Sequence, residues 1–156
     1  MKNIDSIDRA ILRELQQDCS RSVQEIGAAV GLSQSPCWKR IRRLEEAGVL
    51  KGRVALIDPA SVGLSVTVFV TIRTNQHNEA WLDRFGTAVA SIPEVIEIYR
   101  MSGDVDYLLK ILAADIDDYD RIYKKLIRSV EMFDVSSSFA MEQLKYTTAV
   151  PLGEEA

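Results

Sequence analysis

Histidine occurs once in the 156 residues, at position 77, and cysteine twice, at positions 19 and 37. A structural zinc site needs about four such ligands, and the two cysteines form no C-x-x-C pair, so no metal site is expected. With a single histidine in a polar stretch, Asn75-Gln76-His77-Asn78, no Ser/His/Asp or Cys/His arrangement is supported. The eight glycines form no phosphate-cradling loop, and these absences together argue against an enzyme and against a bound cofactor. No apolar run approaches the ~18 residues that would indicate a membrane span, so no membrane partner is expected. The opening MKNIDSIDRA has no apolar core of a signal peptide, which leads us to expect a cytoplasmic protein. What remains is a globular composition, 47% hydrophobic and 27% charged, long enough for one domain or two small ones.

The formal charge of −4 taken alone disfavours nucleic acid. Its distribution does not. Residues 1–60 carry ten Lys/Arg against eight Asp/Glu, a net of +2, whereas residues 61–156 carry nine against fifteen, a net of −6. Within residues 33–53, Lys39, Arg40, Arg42, Arg43, Lys51 and Arg53 face only Glu45 and Glu46. Charge is screened over ~8–10 Å at physiological salt, so an acidic half does not veto a basic face on the other half.

The first sixty residues read as three short helices. Asp5 or Ser6 caps the first, whose apolar positions Ile7, Ile11, Leu12 and Leu15 follow helical spacing, with Asp8 in the first turn. Ser22 and Glu25 make a capping box for the second, which buries Val23, Ile26, Gly27 and Val30. Gly31-Leu32-Ser33 is the right length for the turn of a helix-turn-helix. Ser33 then caps a third helix with Pro36 in its first turn, ending at Gly48. Cys37, Ile41 and Leu44 share its packing face, and Cys37 reads as a small core residue rather than a reactive thiol. Ser35, Lys39, Arg42 and Arg43 lie opposite, with Gln34 and Trp38 on one flank and Arg40 on the other. A basic helix face alone is commonly just solvated. Joined to the correct turn and caps, it describes a helix that enters the major groove of double-stranded DNA. Residues 49–58 alternate enough to form a short strand pair, a wing, carrying Lys51 and Arg53.

After a linker at residues 59–64, the pattern changes to βαββαβ. Strands are expected over residues 65–74, 95–101, 106–113 and 135–145, and helices over 79–92 and 116–130. The first helix would bury Leu82, Phe85, Val89 and Ile92, and the second Tyr119, Ile122, Leu126 and Val130. This is the ferredoxin-like order. The expected fold class is therefore α+β: a winged helix-turn-helix over 1–58, then a ferredoxin-like βαββαβ domain over 65–156. Two helices cover only one face of such a sheet. Apolar and aromatic residues on both faces, with Ile96 and Ile98 set opposite Val95 and Tyr99, imply that the open face meets a second copy. A two-fold dimer also suits paired DNA half-sites.

Gly103-Asp104-Val105-Asp106-Tyr107 is the most suggestive cluster for ligand chemistry. An α-amino acid needs acceptors for its ammonium, which Asp104 and Asp106 offer, and donors for its carboxylate, which backbone N–H groups around Gly103 offer. From the residues alone a plain hairpin turn, with Gly103 taking positive φ, accounts for Gly-Asp slightly better. Ser136, Ser137 and Ser138 in the last strand are candidates for the same pocket.

The stretches LSQSPCWKRIRRLEEAGVLKG, VALIDPASVGL, MSGDVDYLL and SSFAMEQLKYTTAVPL together resemble the Lrp/AsnC (feast/famine) family of regulators, in the right order along nearly the whole chain. PCWKR and the SSFAMEQLKYTT tail are most similar to its cysteine-responsive branch. The resemblance implies dimers built by the sensor sheets, octamers assembled from them, and an amino-acid effector (cysteine, leucine or another small amino acid) held between dimers near the glycine-aspartate turn. It places DNA contacts on Ser33, Gln34, Ser35, Trp38, Lys39, Arg40 and Arg42. Effector contacts fall on Met101, Ser102, Gly103, Asp104, Asp106 and Tyr107, with Ser136, Ser137 and Ser138 beside them. Two other readings stay open on sequence: an architectural DNA-binding protein without effector, and a ferredoxin-like enzyme similar to siroheme decarboxylases.

Overall fold

The structure is a computed structural model that describes residues 4–76, 78–129 and 131–153; His77 and the expected core position Val130 lie outside the described residues. The chain divides into two compact units. One joins the N-terminal stretch through Leu56 with the C-terminal stretch from Lys145, and the other is Ile57–Leu144.

The first unit holds helices α1 (Ser6–Gln17), α2 (Val23–Ala29) and α3 (Gln34–Glu46). Capping boxes start the first two: Asp5 accepts from the Asp8 N–H at 2.8 Å, and Ser22 from that of Glu25 at 3.2 Å. Ile11, Leu12, Leu15, Ile26, Cys37, Ile41 and Leu44 close the core between them. The turn is tight because α2 lets α3 approach. A Cβ added at Gly27 would sit 2.8 Å from the Leu32 carbonyl oxygen and 3.3 Å from the Cys37 Cβ. Only glycine admits that approach without a shift.

The C-terminal tail closes this unit rather than extending the sensor sheet. Arg13 donates to the Leu152 carbonyl at 3.2 Å. Gln16 donates to the Val150 carbonyl at 3.2 Å and accepts from the Val150 N–H at 2.6 Å. Residues 51–58 form no strand, so the expected wing is absent from the single chain. A strand needs a hydrogen-bonded neighbour, and Val54, Leu56 and Ile57 are instead exposed.

The second unit is the expected βαββαβ sandwich. Strands β1 (Val66–Arg73), β2 (Val95–Arg100), β3 (Tyr107–Ala113) and β4 (Asp134–Phe139) form one antiparallel sheet in the order β2-β3-β1-β4, with α4 (Glu79–Ala90) and α5 (Ile116–Ser129) supplying the helices. Val68, Val70 and Ile72 of β1 point into the core with Leu109, Ile111, Phe85, Ile122 and Leu126. Trp81, absent from the expected core list, is fully buried. It stacks on Phe85 at 4.9 Å between ring centroids, and its indole N–H donates to the Glu131 carbonyl at 2.9 Å.

Two expectations about the strands are corrected. The last strand stops at Phe139 rather than continuing to 145, because β1, its one partner, runs out: Ala140 N–H donates to the Thr67 carbonyl and nothing follows. In β2, a register shift between Val95 and Glu97 breaks the simple alternation. Val95 therefore pairs with Ile111 and Ile98 with Leu109 on the helix side, while Glu97 and Tyr99 share the open side with Lys110 and Leu108. One extra residue reverses every facing beyond it.

Candidate nucleic-acid interface and effector hairpin

Helix α3 has a packed face and a free one. Cys37, Ile41 and Leu44 are buried against the core, and burial pushes the Cys37 thiol above its ordinary range, in keeping with a structural role. Ser33 occupies the N-cap position, yet its side chain makes no capping hydrogen bond. Gln34, Ser35 and Lys39 are exposed, with no side-chain partner among the described residues. Trp38 is 51% exposed, and the Arg42 guanidinium lies 6.0 Å from its ring centroid. Arg42 also lies 3.6 Å from Glu45 and 3.8 Å from Glu46, distances at which exposed pairs contribute little.

Arg40 is placed elsewhere. Its guanidinium donates to Asp5 at 2.7 Å and to Asp8 at 2.8 Å, and Arg43 donates to the other oxygen of Asp8. The Asp8 side chain is wholly buried. A buried carboxylate in the first turn of α1 thus takes up two cations of α3, where the helix dipole also favours it. The Asp8 N–H and then the Arg40 guanidinium hold the Asp5 carboxyl below its ordinary 3.8, and the same carboxylates raise Arg40 further. Counting cations on α3 could not separate Arg40 from Lys39; the carboxylates that claim it come from a different helix. Lys51 is exposed, and Arg53 pairs with Glu45 at 3.3 Å.

In the sensor unit, the β2–β3 hairpin exposes Met101, Ser102, Gly103 and Asp104, with Gly103 at φ 124. That angle lies in the region only glycine adopts without strain. The neighbouring residues are partly committed to the fold. Asp106 accepts from the Thr74 N–H at 2.8 Å through its carboxylate, and its own N–H donates to the Ile72 carbonyl at 2.9 Å. Tyr107 is buried, with its ring 4.5 Å from Phe85 and 5.8 Å from Trp81. It supports the hairpin from beneath and keeps only 7% of its surface exposed. The serine triplet is split by the strand period: Ser137 shares a hydrogen bond with the Tyr119 hydroxyl on the helix side, whereas Ser136 and Ser138 pair with Thr71 and Phe69. The triplet therefore divides between the two faces of β4, with Ser136 and Ser138 together on the open one.

The open face is banded. Phe69 neighbours Lys110, which donates to Glu97 at 3.1 Å, and Tyr99 donates to the same carboxylate at 2.6 Å. The tyrosine hydroxyl and then the lysine lower the Glu97 carboxyl. Among the described residues, no group of three or more His, Cys, Asp or Glu is placed to hold a metal ion, and no helix is long and apolar enough to cross a membrane.

The profile of the AsnC-type helix-turn-helix domain matches residues 4–45, and that of the Lrp/AsnC ligand binding domain matches residues 67–150. The chain belongs to the Lrp/AsnC family. Over 150 residues it is 51% identical to the DNA-binding transcriptional activator DecR of Escherichia coli strain K12, covering 96% of this chain and 99% of that one. An AsnC family transcriptional regulator from Agrobacterium tumefaciens has a crystal structure that superposes with a TM-score of 0.91 at 55% identity, covering 94% of this chain and 96% of that one. A transcriptional regulator from Neisseria meningitidis, solved with L-methionine, gives 0.89 at 30% identity over 96% and 97% of the two chains. The helix-turn-helix and the ferredoxin-like sensor are the two parts of an Lrp/AsnC regulator.

Proposed function

We propose that this chain is a sequence-specific DNA-binding transcriptional regulator whose assembly on DNA responds to a small α-amino acid held at the sensor hairpin. The observation that carries the DNA reading is the outward face of α3, where Gln34, Ser35 and Lys39 have no side-chain partner among the described residues. Gln34, Ser35, Trp38 and Lys39 project from a helix whose other side is packed, beside an uncapped Ser33 hydroxyl. Gln34, Ser35 and Trp38 meet base edges; Ser33, Lys39, Arg42 and Lys51 meet phosphates. Arg40 and Arg43 serve first to hold α3 to α1.

For the effector, Asp104 accepts from the ligand ammonium and the backbone around Gly103 donates to its carboxylate. Met101 and Ser102 flank it, Asp106 fixes the hairpin to β1, and Tyr107 stiffens its base. The family relative solved with L-methionine supports an amino acid as the ligand class. The open sheet face, with Phe69, Leu108, Leu112 and Tyr99, pairs two copies, and dimers assemble further.

The test is a salt titration of binding to the DNA upstream of the chain's own gene, alone and with cysteine, leucine, methionine and the other amino acids. Tight, salt-dependent binding altered by one amino acid is expected. Binding indifferent to every amino acid would remove the sensor reading, and no binding at low salt would remove the DNA reading.

A further inference from the structure

The free face of α3 contains a recess as well as a surface. Val23, in the first turn of α2, and Trp38 wall an open hollow of about 250 Å³ whose remaining lining is Gln34 and Ser35. Gln34 and Trp38 stand one helical turn apart on α3, so the amide of one and the ring of the other face the same point. Half of the Trp38 surface is exposed although the ring has an apolar wall beside it, and Arg42 lies over the ring. An exposed indole and a valine beside an amide with no partner make a site with two chemistries: an apolar wall, and a paired donor and acceptor.

One feature of a DNA major groove answers both. The thymine C5-methyl is its apolar group. The adenine paired with it presents an N7 acceptor beside an N6 donor, which a glutamine amide matches with two hydrogen bonds. We infer that the recess between Val23 and Trp38 reads a T·A pair in each half-site, with the thymine methyl against Trp38 and Val23 and the Gln34 amide on an adenine edge. This rests on the DNA reading proposed above and specifies it. Trp38 and Gln34 become the residues that set sequence preference, and Lys39 and Arg42 those that supply affinity without it. The alternative occupant of an exposed tryptophan is another protein, and that occupant predicts no response to a base analogue.

The experiment uses the full chain and a library of random duplexes. After selection of a bound sequence, each thymine is replaced singly by deoxyuridine, which deletes only the methyl, and each adenine by 7-deazaadenine, which deletes only the N7 acceptor. One thymine per half-site is expected whose demethylation weakens binding about fourfold, the equivalent of one buried methyl. In Trp38→Ala that sensitivity should fall within experimental error of none, and in Gln34→Ala the 7-deazaadenine effect should vanish while the uridine effect stays. The wild-type arm alters only DNA, so it holds even if a variant folds poorly. A selected sequence in which no thymine methyl matters overturns the inference, as does a Trp38→Ala protein with undiminished uridine sensitivity. If no sequence is enriched at all, the DNA reading itself fails.

Discussion

Replacing Asp8 by Asn should destabilise the N-terminal unit while leaving the sensor unit unchanged. The asparagine keeps an oxygen to accept from the Asp5 N–H, so the capping box survives in part. What it removes is the negative charge between two guanidiniums, and it turns an amide N–H₂ toward donors. Taking away one partner of a buried ion pair typically costs about 3–5 kcal/mol. Here the acid side is wholly buried, whereas the Arg43 side chain is 56% exposed and that of Arg40 27%, so both cations regain water once released. The loss therefore belongs at the low end, about 3 kcal/mol.

The two tryptophans give each unit its own reporter, Trp38 in the first and Trp81 in the second. In a Trp81→Phe background, a urea titration followed by Trp38 fluorescence should show its midpoint lowered by about 3 M, taking about 1 kcal/mol per molar for so small a unit. In a Trp38→Phe background the transition seen by Trp81 should not move. A Trp38 midpoint shifted by less than the equivalent of about 0.5 kcal/mol, the range of ordinary surface changes, would refute the reasoning. It would mean that water replaces the carboxylate at no cost.

Arg40→Ala should lower the stability of the same unit without changing the salt slope of DNA binding. Lys39→Ala should instead flatten that slope by about 0.9 per DNA-bound subunit and leave stability unchanged; a slope that falls for Arg40 would return it to the phosphates. Gly27→Ala forces the Leu32 carbonyl away from a 2.8 Å clash, so specific DNA binding should drop at least tenfold in a protein still folded by circular dichroism. Unchanged binding would show that α3 need not lie so close. Asp5, Glu94 and Asp118 all have folded values depressed below their ordinary 3.8, 4.5 and 3.8. For Asp5 and Asp118 the leading cause is a backbone N–H, with an arginine second, and for Glu94 it is Arg121. Their stabilisation is complete above those ordinary values and is lost as pH falls through the lower folded ones. Thermal melts should therefore hold steady to about pH 5 and drop below pH 4, and a midpoint flat down to pH 3 would contradict this. The proposed pairing of open faces predicts a dimer for the unsubstituted chain and a monomer for Leu108→Asp, on that face between Thr71 and Tyr99, in light scattering; an unaltered dimer would move the interface elsewhere.

The sequence showed the first unit's helices well because their signals are local: Asp5, Ser22 and Gly31 punctuate the chain where the helices begin and end. The ferredoxin-like order was equally legible, since alternation in β1 and the 3.6-residue period in α5 lie within single elements. What escaped was non-local. Arg40 is assigned by carboxylates more than thirty positions away. The β2 bulge is fixed by its pairing with β3, and the end of β4 by where β1 begins. Trp81 stands next to Leu82, and a stripe begun at Leu82 keeps Phe85, Val89 and Ile92, which the core contains, but passes over the larger ring one position earlier. In the hairpin, residue type could not tell Asp104, which is exposed, from Asp106, which is tied to Thr74.

The chain passes between its units twice, once near residue 57 and once near residue 145, and neither residues 51–58 nor residues 140–148 contain a helix or strand. Among the described residues no helix or strand runs from one unit into the other, which fits the proposed coupling through assembly of copies. The energetics favour the same route. A ligand shifts an equilibrium only by its differential affinity, and a tenfold preference at one site is worth about 1.4 kcal/mol. Swinging a population from 1:99 to 99:1 takes about 5.5 kcal/mol, more than such a site can supply alone. Four equivalent sites in one symmetric assembly supply it together, with each ligand making only a modest discrimination. A chain whose proposed effector hairpin is exposed, whose sensor sheet has an open face and whose two units are joined by segments without helix or strand is suited to the collective response we propose. The amino-acid response of Leu108→Asp should therefore become shallow and weak even where each isolated sensor still binds its ligand.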